Sequence, residues 1–215
     1  MRFEVGYTTD PGPRKGDNQD SLLAGFLNGR EDALLLIVSD GMGGANAGEQ
    51  ASQEAVAVIQ RELVASAGEL AASNAADRLC DAIKAANSSI YQKASSSAEF
   101  EGMGCTVVVA LVLGDAYWVA SVGDSRAYHS LRHVLDRALG TRPTVEVDVW
   151  PEEVLEDGDV LLLCTDGLYG VLEDSLIQQV ATRHSPQEAA DLLVRHALDA
   201  PTHDNVSVVV LRASA

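Results

Sequence analysis

The chain has 215 residues, 47% of them hydrophobic, and a formal net charge of −17 from 32 acidic and 15 basic residues. Its length and apolar content suit one folded unit with its own core, and the acidity argues against nucleic acid and anionic membrane surfaces as partners, because both attract proteins through Lys and Arg clusters. No apolar run is long enough to span a membrane, and the N-terminal MRFEVGYTTD has no basic-then-apolar leader pattern, so a cytoplasmic protein is expected.

In chain order, FEVGYTT alternates as a strand does. DSLLAGF and ALLLIVSDG read as two more strands, the last apolar enough to be buried on both faces. A helix pattern begins at Ala47, where AGEQASQEAVAVIQRELVAS puts Ala51, Ala55, Val58, Ile59 and Leu63 on one stripe. After a loop near Gly68, AADRLCDAIKAANSSIYQKA repeats the pattern with Leu79, Ile83, Ala86 and Ile90. The polar SSSAEFEGMG is a loop by composition. CTVVVALVL, AYWVASVGDS, VEVDVW and DVLLLCTDG read as strands, SLIQQVATRH and SPQEAADLLVRHALDA as helices, and NVSVVVLRA as a last strand. Ser185 is a good N-cap for the second of these helices, with Glu188 placed to complete a capping box. Blocks of strands separated by helix pairs do not follow the strict alternation of a doubly wound sheet. The predicted fold class is therefore α+β, a four-layer α-β-β-α sandwich with two central, mostly antiparallel sheets flanked by helix pairs. Nothing divides the chain, so residues 1–215 are expected to form a single domain.

Cys80, Cys105 and Cys164 form no CxxC pair, and the last two lie in apolar strand-like segments, which predicts buried, reduced thiols. His129, His133, His184, His196 and His203 show no zinc-ligand spacing. The acids are more informative. Asp40 in SDGMGG, Asp124 in VGDSR and Asp166 in CTDGL follow apolar runs, while Asp20 in DNQDS and Asp204 in HDNVS precede them. Any one Asp-Gly is more often a turn than a ligand. Strand ends on one rim of a sandwich converge, however, and carboxylates gathered there repel one another unless cations neutralise them. Oxygen-only donors with glycine carbonyls beside them suit Mg2+ or Mn2+ and not Zn2+, and the glycines of SDGMGG would let the backbone approach a ligand closely.

In this order, RKGDNQDS, DGMGGANAGE, GCTVVVALV, VGDSRAY, RALGT, LLLCTDGL and HDNVSVVVL resemble the motifs of the bacterial metal-dependent protein serine/threonine phosphatases, the type 2C family. The resemblance covers nearly the whole chain. It implies hydrolysis of phosphoserine and phosphothreonine in proteins by a metal-activated water, without a phosphoenzyme, at a binuclear Mn2+ or Mg2+ centre. Carried over motif by motif, Asp40 would bridge the two ions and Gly41 would lend its carbonyl to one of them. Asp166 and Asp204 would hold the second ion, and Asp124 with Asp166 a third, weaker one. Asp20 would act directly or through a metal-bound water. Arg14, with Asp40 a catalytic residue on this reading, would bind the substrate phosphate through its planar fork of donors. The implied partners are phosphorylated proteins and an opposing serine/threonine kinase, with the phosphatase itself a monomer.

Three departures from the family pattern stand out. The spacing from Arg14 to Asp20 is one residue longer than the motif, with Lys15 as the alternative cation. Ala45 occupies the position after DGMGG where many relatives carry a His that protonates the leaving group; His203 is the nearest substitute in sequence terms, and water the preferred donor. The stretch RAYHSLRHVLDRALG is short, so the flap near residues 128–134 is shortened or absent, which would open the site and loosen substrate discrimination. The competing readings are a catalytically weak or inactive relative acting as a phosphoprotein-binding regulatory module, and a hydrolase of small phosphorylated metabolites.

Overall fold

Side chains alternate across a strand, so a strand that is apolar at every position needs cover on both faces. The computed structural model, which describes residues 1–13, 16–27, 30–43, 47–129 and 141–215, supplies that cover in layers. Strands β1 (Arg2–Asp10), β2 (Asp20–Phe26) and β3 (Ala33–Met42) are followed by helices α1 (Ala47–Ala65) and α2 (Ala75–Ala94). Then come β4 (Gly104–Cys105), β5 (Val107–Leu113), β6 (Ala116–Val122), β7 (Arg126–His129), β8 (Asp148–Val149), β9 (Glu153–Val154) and β10 (Val160–Cys164). Helices α3 (Asp166–Tyr169), α4 (Asp174–Arg183) and α5 (Pro186–Asp199) lead into β11 (Val206–Ser214).

One sheet runs β1-β11-β10-β7 and the other β2-β3-β5-β6-β8, with β4 added against β3 and β9 against β6. Every pairing is antiparallel. The residues of β3 divide cleanly: Leu34, Leu36 and Val38 face the core between the sheets, while Leu35 and Ile37 face the helix pair α1 and α2. In β10, Leu161 and Leu163 enter the same inter-sheet core, and Val160, Leu162 and Cys164 pack beneath α4 and α5. Three apolar layers thus separate four structural layers, as the predicted sandwich requires. The stripes expected of α1 and α2 are the buried ones. Glu188 accepts hydrogen bonds from both the backbone N–H and the hydroxyl of Ser185, which fixes the start of α5.

Two expected strands differ in detail. CTVVVALVL is broken at Thr106, which separates β4 from β5, and of VEVDVW only Asp148–Val149 pairs as strand. Arg126–His129, not anticipated as a strand, forms the edge strand β7 beside β10. Of the expected flap region, Tyr128 and His129 end β7, and residues 130–134 lie outside the described residues. No helix among the described residues is long and apolar enough to cross a membrane.

Strand direction decides where the acids go. Because β3 and β6 both run antiparallel to β5, their C-terminal ends share one rim, and the start of β2 joins them there. In the other sheet the end of β10 meets the start of β11 on that same side. At the opposite rim the sheets are clasped by Tyr117, whose hydroxyl lies 2.6 Å from both His129 Nδ1 and Glu153 Oε2. The inter-sheet core carries the docking of the two sheets. Leu36→Ala should therefore lower the urea midpoint with little change in m, a loss of about 2–5 kcal/mol, measurable by equilibrium denaturation.

Candidate active site

Asp20 and Asp40 are cross-strand partners at the start of β2 and the end of β3, so their side chains lie on the same face of the sheet. On the other side of Asp40 the ladder is interrupted at Thr106, whose hydroxyl replaces one of its bonds. Thr106 N–H donates to the Asp40 carbonyl at 2.8 Å, and Asp40 N–H donates to Thr106 Oγ1 at 3.0 Å. Thr106 Oγ1 in turn lies 2.6 Å from Ser125 Oγ, at the turn that carries Asp124. A helical turn begins at Asp166, directly after β10. Asp204 sits just before β11 and accepts the Asn205 N–H at 2.9 Å.

Electrostatics confirm that these acids share a neighbourhood. Burial, and then the charges of Asp20, Asp166, Asp204 and Asp124, push the Asp40 carboxyl up to about 9. Burial also raises Asp20 to about 7; hydrogen bonds from Ser207 and Thr165 oppose the shift, and Asp204 and Asp166 add to it. Asp166 is raised by burial and by Asp204 and Asp124, with a hydrogen bond from Asp40 acting the other way. Two of the buried oxygens that have no hydrogen-bond partner among the described residues are Asp20 Oδ1 and Asp166 Oδ1. No three or more His, Cys, Asp or Glu side chains among the described residues close into a ready-made metal cage. The acids instead line one rim and interact through space. Oxygen-only donors, two orphaned carboxylate oxygens and strong mutual repulsion together suit a hard divalent cation, which would relieve all three conditions at once.

The glycine after Asp40 is required for a reason the sequence does not disclose. A side chain on Gly41 would run into the backbone of Gly48 at the start of α1 and would come within 2.6 Å of the Gln19 carbonyl. The space a Gly41 side chain would need is used by protein, to seat helix α1 against the strand end. Gly43, at φ 136°, then turns the chain in a conformation that other residues rarely adopt. Arg14 and Ala45 lie outside the described residues. His203 is exposed beside Asp204.

The sequence model of the protein phosphatase 2C family matches residues 14–140. The chain belongs to that family. It is 28% identical over 239 residues to the serine/threonine phosphatase stp of Listeria monocytogenes, covering 95% of this chain and 94% of the relative. It is 31% identical over 236 residues to the serine/threonine protein phosphatase PstP of Mycobacterium tuberculosis, covering 94% of this chain and 43% of that longer protein. The fold superposes on the catalytic domain of PstP in complex with two manganese ions at a TM-score of 0.87, with 28% identity and 99% of each chain covered. The family, fold class and enzyme class expected from the motifs are thus borne out: this is a type 2C protein phosphatase.

Several residues that shape the acidic rim carry little signal in the sequence. Thr165, fully buried, donates its hydroxyl to Asp20 Oδ2 at 2.9 Å and so joins the two sheets. Tyr169 donates to the Asp124 carbonyl at 2.8 Å, and the Arg126 guanidinium lies 3.6 Å from the centre of its ring. Asn205 accepts the Gln19 N–H and donates to the Pro11 carbonyl, each at 2.9 Å. Thr165, Arg126 and Asn205 adjoin or interrupt the acidic motifs, and that adjacency is the signal that would have found them. The thiols play no part here, because burial holds Cys164 protonated and pushes Cys105 up to about 12.

Raised carboxyl pKa values make the metal-free fold pH-sensitive. Asp20 and Asp40 bind protons more tightly folded than unfolded, so their contribution is fully favourable below about 4 and is lost as pH rises through about 7 and about 9. With chelator present, Asp40→Asn should therefore stabilise the protein at pH 8 by at least about 1.4 kcal/mol, the equivalent of one pKa unit, and the gain should vanish towards pH 4. Urea denaturation at the two pH values checks it.

Proposed function

We propose that the acidic rim is the catalytic centre, where phosphoserine and phosphothreonine of protein substrates are hydrolysed with Mn2+ or Mg2+ bound. The observation that carries this reading is the meeting of Asp20, Asp40, Asp124, Asp166 and Asp204 at one rim, with two buried oxygens unpartnered. Asp40 feels the charges of Asp20, Asp166, Asp204 and Asp124, and with Asp20, the Gly41 carbonyl, Asp166 and Asp204 it would hold the two cations; Asp124 with Asp166 would serve a third, weaker site. Arg14 binds the phosphoryl group of the substrate.

Divalent cations at such a site supply positive charge to the phosphoryl oxygens and bring the pKa of water towards neutrality. The protein's own work is to hold the acids still. Thr106 fixes the backbone of Asp40, Thr165 fixes Asp20, and Tyr169 fixes the turn that carries Asp124. The oxygens need no reorganisation at the moment of reaction, which is where preorganised charge is most effective. No side chain is required as a nucleophile, which agrees with the two protonated, buried thiols. With Ala45 in place of a histidine, solvent protonates the serine or threonine leaving group.

Residues 1–215 act as one catalytic unit with a shortened flap, as a monomer in the cytoplasm, opposing a serine/threonine kinase. The acidity that leaves the chain at −17 agrees with a site built from carboxylates and with substrates other than nucleic acid. Hydrolysis of a phosphothreonine peptide and of p-nitrophenyl phosphate should require Mn2+ or Mg2+, stop with chelator, and fall on the order of 10²–10³-fold in Asp40→Ala. Turnover of the aryl ester alone would show that leaving-group protonation fails without the histidine. Metal binding without turnover of either substrate would contradict the proposal and favour a regulatory phosphoprotein-binding module.

A further inference from the structure

Thr165 is 0% exposed, Ser207 is 0% exposed and Asp20 is 7% exposed, so hydrogen bonds among them form away from water. Thr165 Oγ1 accepts the Ser207 N–H at 3.0 Å, and its single proton is donated to Asp20 Oδ2 at 2.9 Å. The backbone of Thr165 also donates to the Ser207 carbonyl at 3.1 Å, which fixes the hydroxyl's position on β11. Behind this pair, Asn18 Nδ2 donates to Thr9 Oγ1 at 2.8 Å, and Thr9 Oγ1 lies 2.8 Å from Ser207 Oγ. A carboxylate can only accept, so the proton of the Thr165 hydroxyl is committed to Oδ2, and Oδ1 is left buried with no partner among the described residues.

We propose that Thr165, supported by Ser207, is a positioning residue for the cation site: it grips Asp20 by Oδ2 so that Oδ1 is presented to the cations. The inference rests on the reading of this rim as a metal site. It adds a consequence that reading does not contain. Asp20 belongs to one sheet, while Thr165 and Ser207 belong to the other, so cation binding is coupled to the docking of the two sheets. A side chain that served only as glue between the sheets would affect stability and leave cation affinity alone. A positioning residue changes affinity, because outer hydrogen-bond partners orient the ligand atoms and raise their basicity.

The test is calorimetric titration of the full chain with Mn2+ alone, with no substrate, alongside thermal melts in chelator. Thr165→Val keeps the shape and loses the hydroxyl; it should bind Mn2+ about 10–100-fold more weakly. Thr165→Ser keeps the hydroxyl and should retain wild-type affinity. Wild-type affinity in Thr165→Val, even with a lowered melting temperature, would overturn the proposal, as would an equal loss in both variants. If Thr165→Val does not fold, Thr165→Ala removes the same hydroxyl with less bulk: weaker Mn2+ binding supports the proposal and unchanged binding overturns it. A wild-type chain that takes up no Mn2+ would overturn the metal-site reading itself, an outcome distinct from a wild type that binds and a Thr165→Val that binds equally well.

Discussion

The acidic rim of this phosphatase follows from placing carboxylates where two sheets meet. Burial raises both: Asp40 to about 9, with Asp20, Asp166, Asp204 and Asp124 adding to it, and Asp20 to about 7, with Asp204 and Asp166 adding to it. Such an arrangement opposes folding unless protons or cations neutralise it. The chain accepts that cost because the hydrogen bonds from Thr165 and Thr106 hold the acids in place and because the rest of the molecule is tightly packed. A rim that is unfavourable without charge compensation is favourable for binding a compensating ion, and the proposed function rests on these same residues.

The sandwich provides both halves of that bargain. Its central strands β3, β5, β10 and β11 each contribute to two cores, and Leu34 and Leu35 of β3 illustrate it by facing opposite ways into separate layers. The antiparallel order then delivers the ends of β3, β6 and β10 and the starts of β2 and β11 to one side. Polar side chains cross between the sheets at both rims: Thr165 to Asp20 at one, and His129 to Tyr117 and Glu153 at the other. The apolar centre gives the stability, and the rims give the geometry.

Much of this was legible in the sequence wherever periodicity was long. The two helices after β3 were readable to within a residue, since nineteen and twenty residues of regular spacing leave little ambiguity. The five aspartates stood out because each borders an apolar run. Three features were not legible. The break at Thr106 follows from its hydroxyl replacing a ladder bond to Asp40, which no local propensity records. The strand Arg126–His129 is only four residues long and depends on pairing with β10. The grip of Thr165 on Asp20 spans 145 residues of chain, and threonine before an Asp-Gly reads as an ordinary turn or cap. The close approach of Gly48 to Gly41 was hidden for a similar reason, because it arises only once α1 folds back onto the strand end.

The most direct test of this account is anomalous X-ray diffraction from crystals of the full chain grown with Mn2+. The account predicts anomalous density enclosed by Asp20, Asp40 and Asp166, with Asp20 turning Oδ1 towards it and Oδ2 still held by Thr165. Manganese bound elsewhere, or a rim left without it at saturating concentration, would contradict the claim that these acids are gathered to be neutralised by metal.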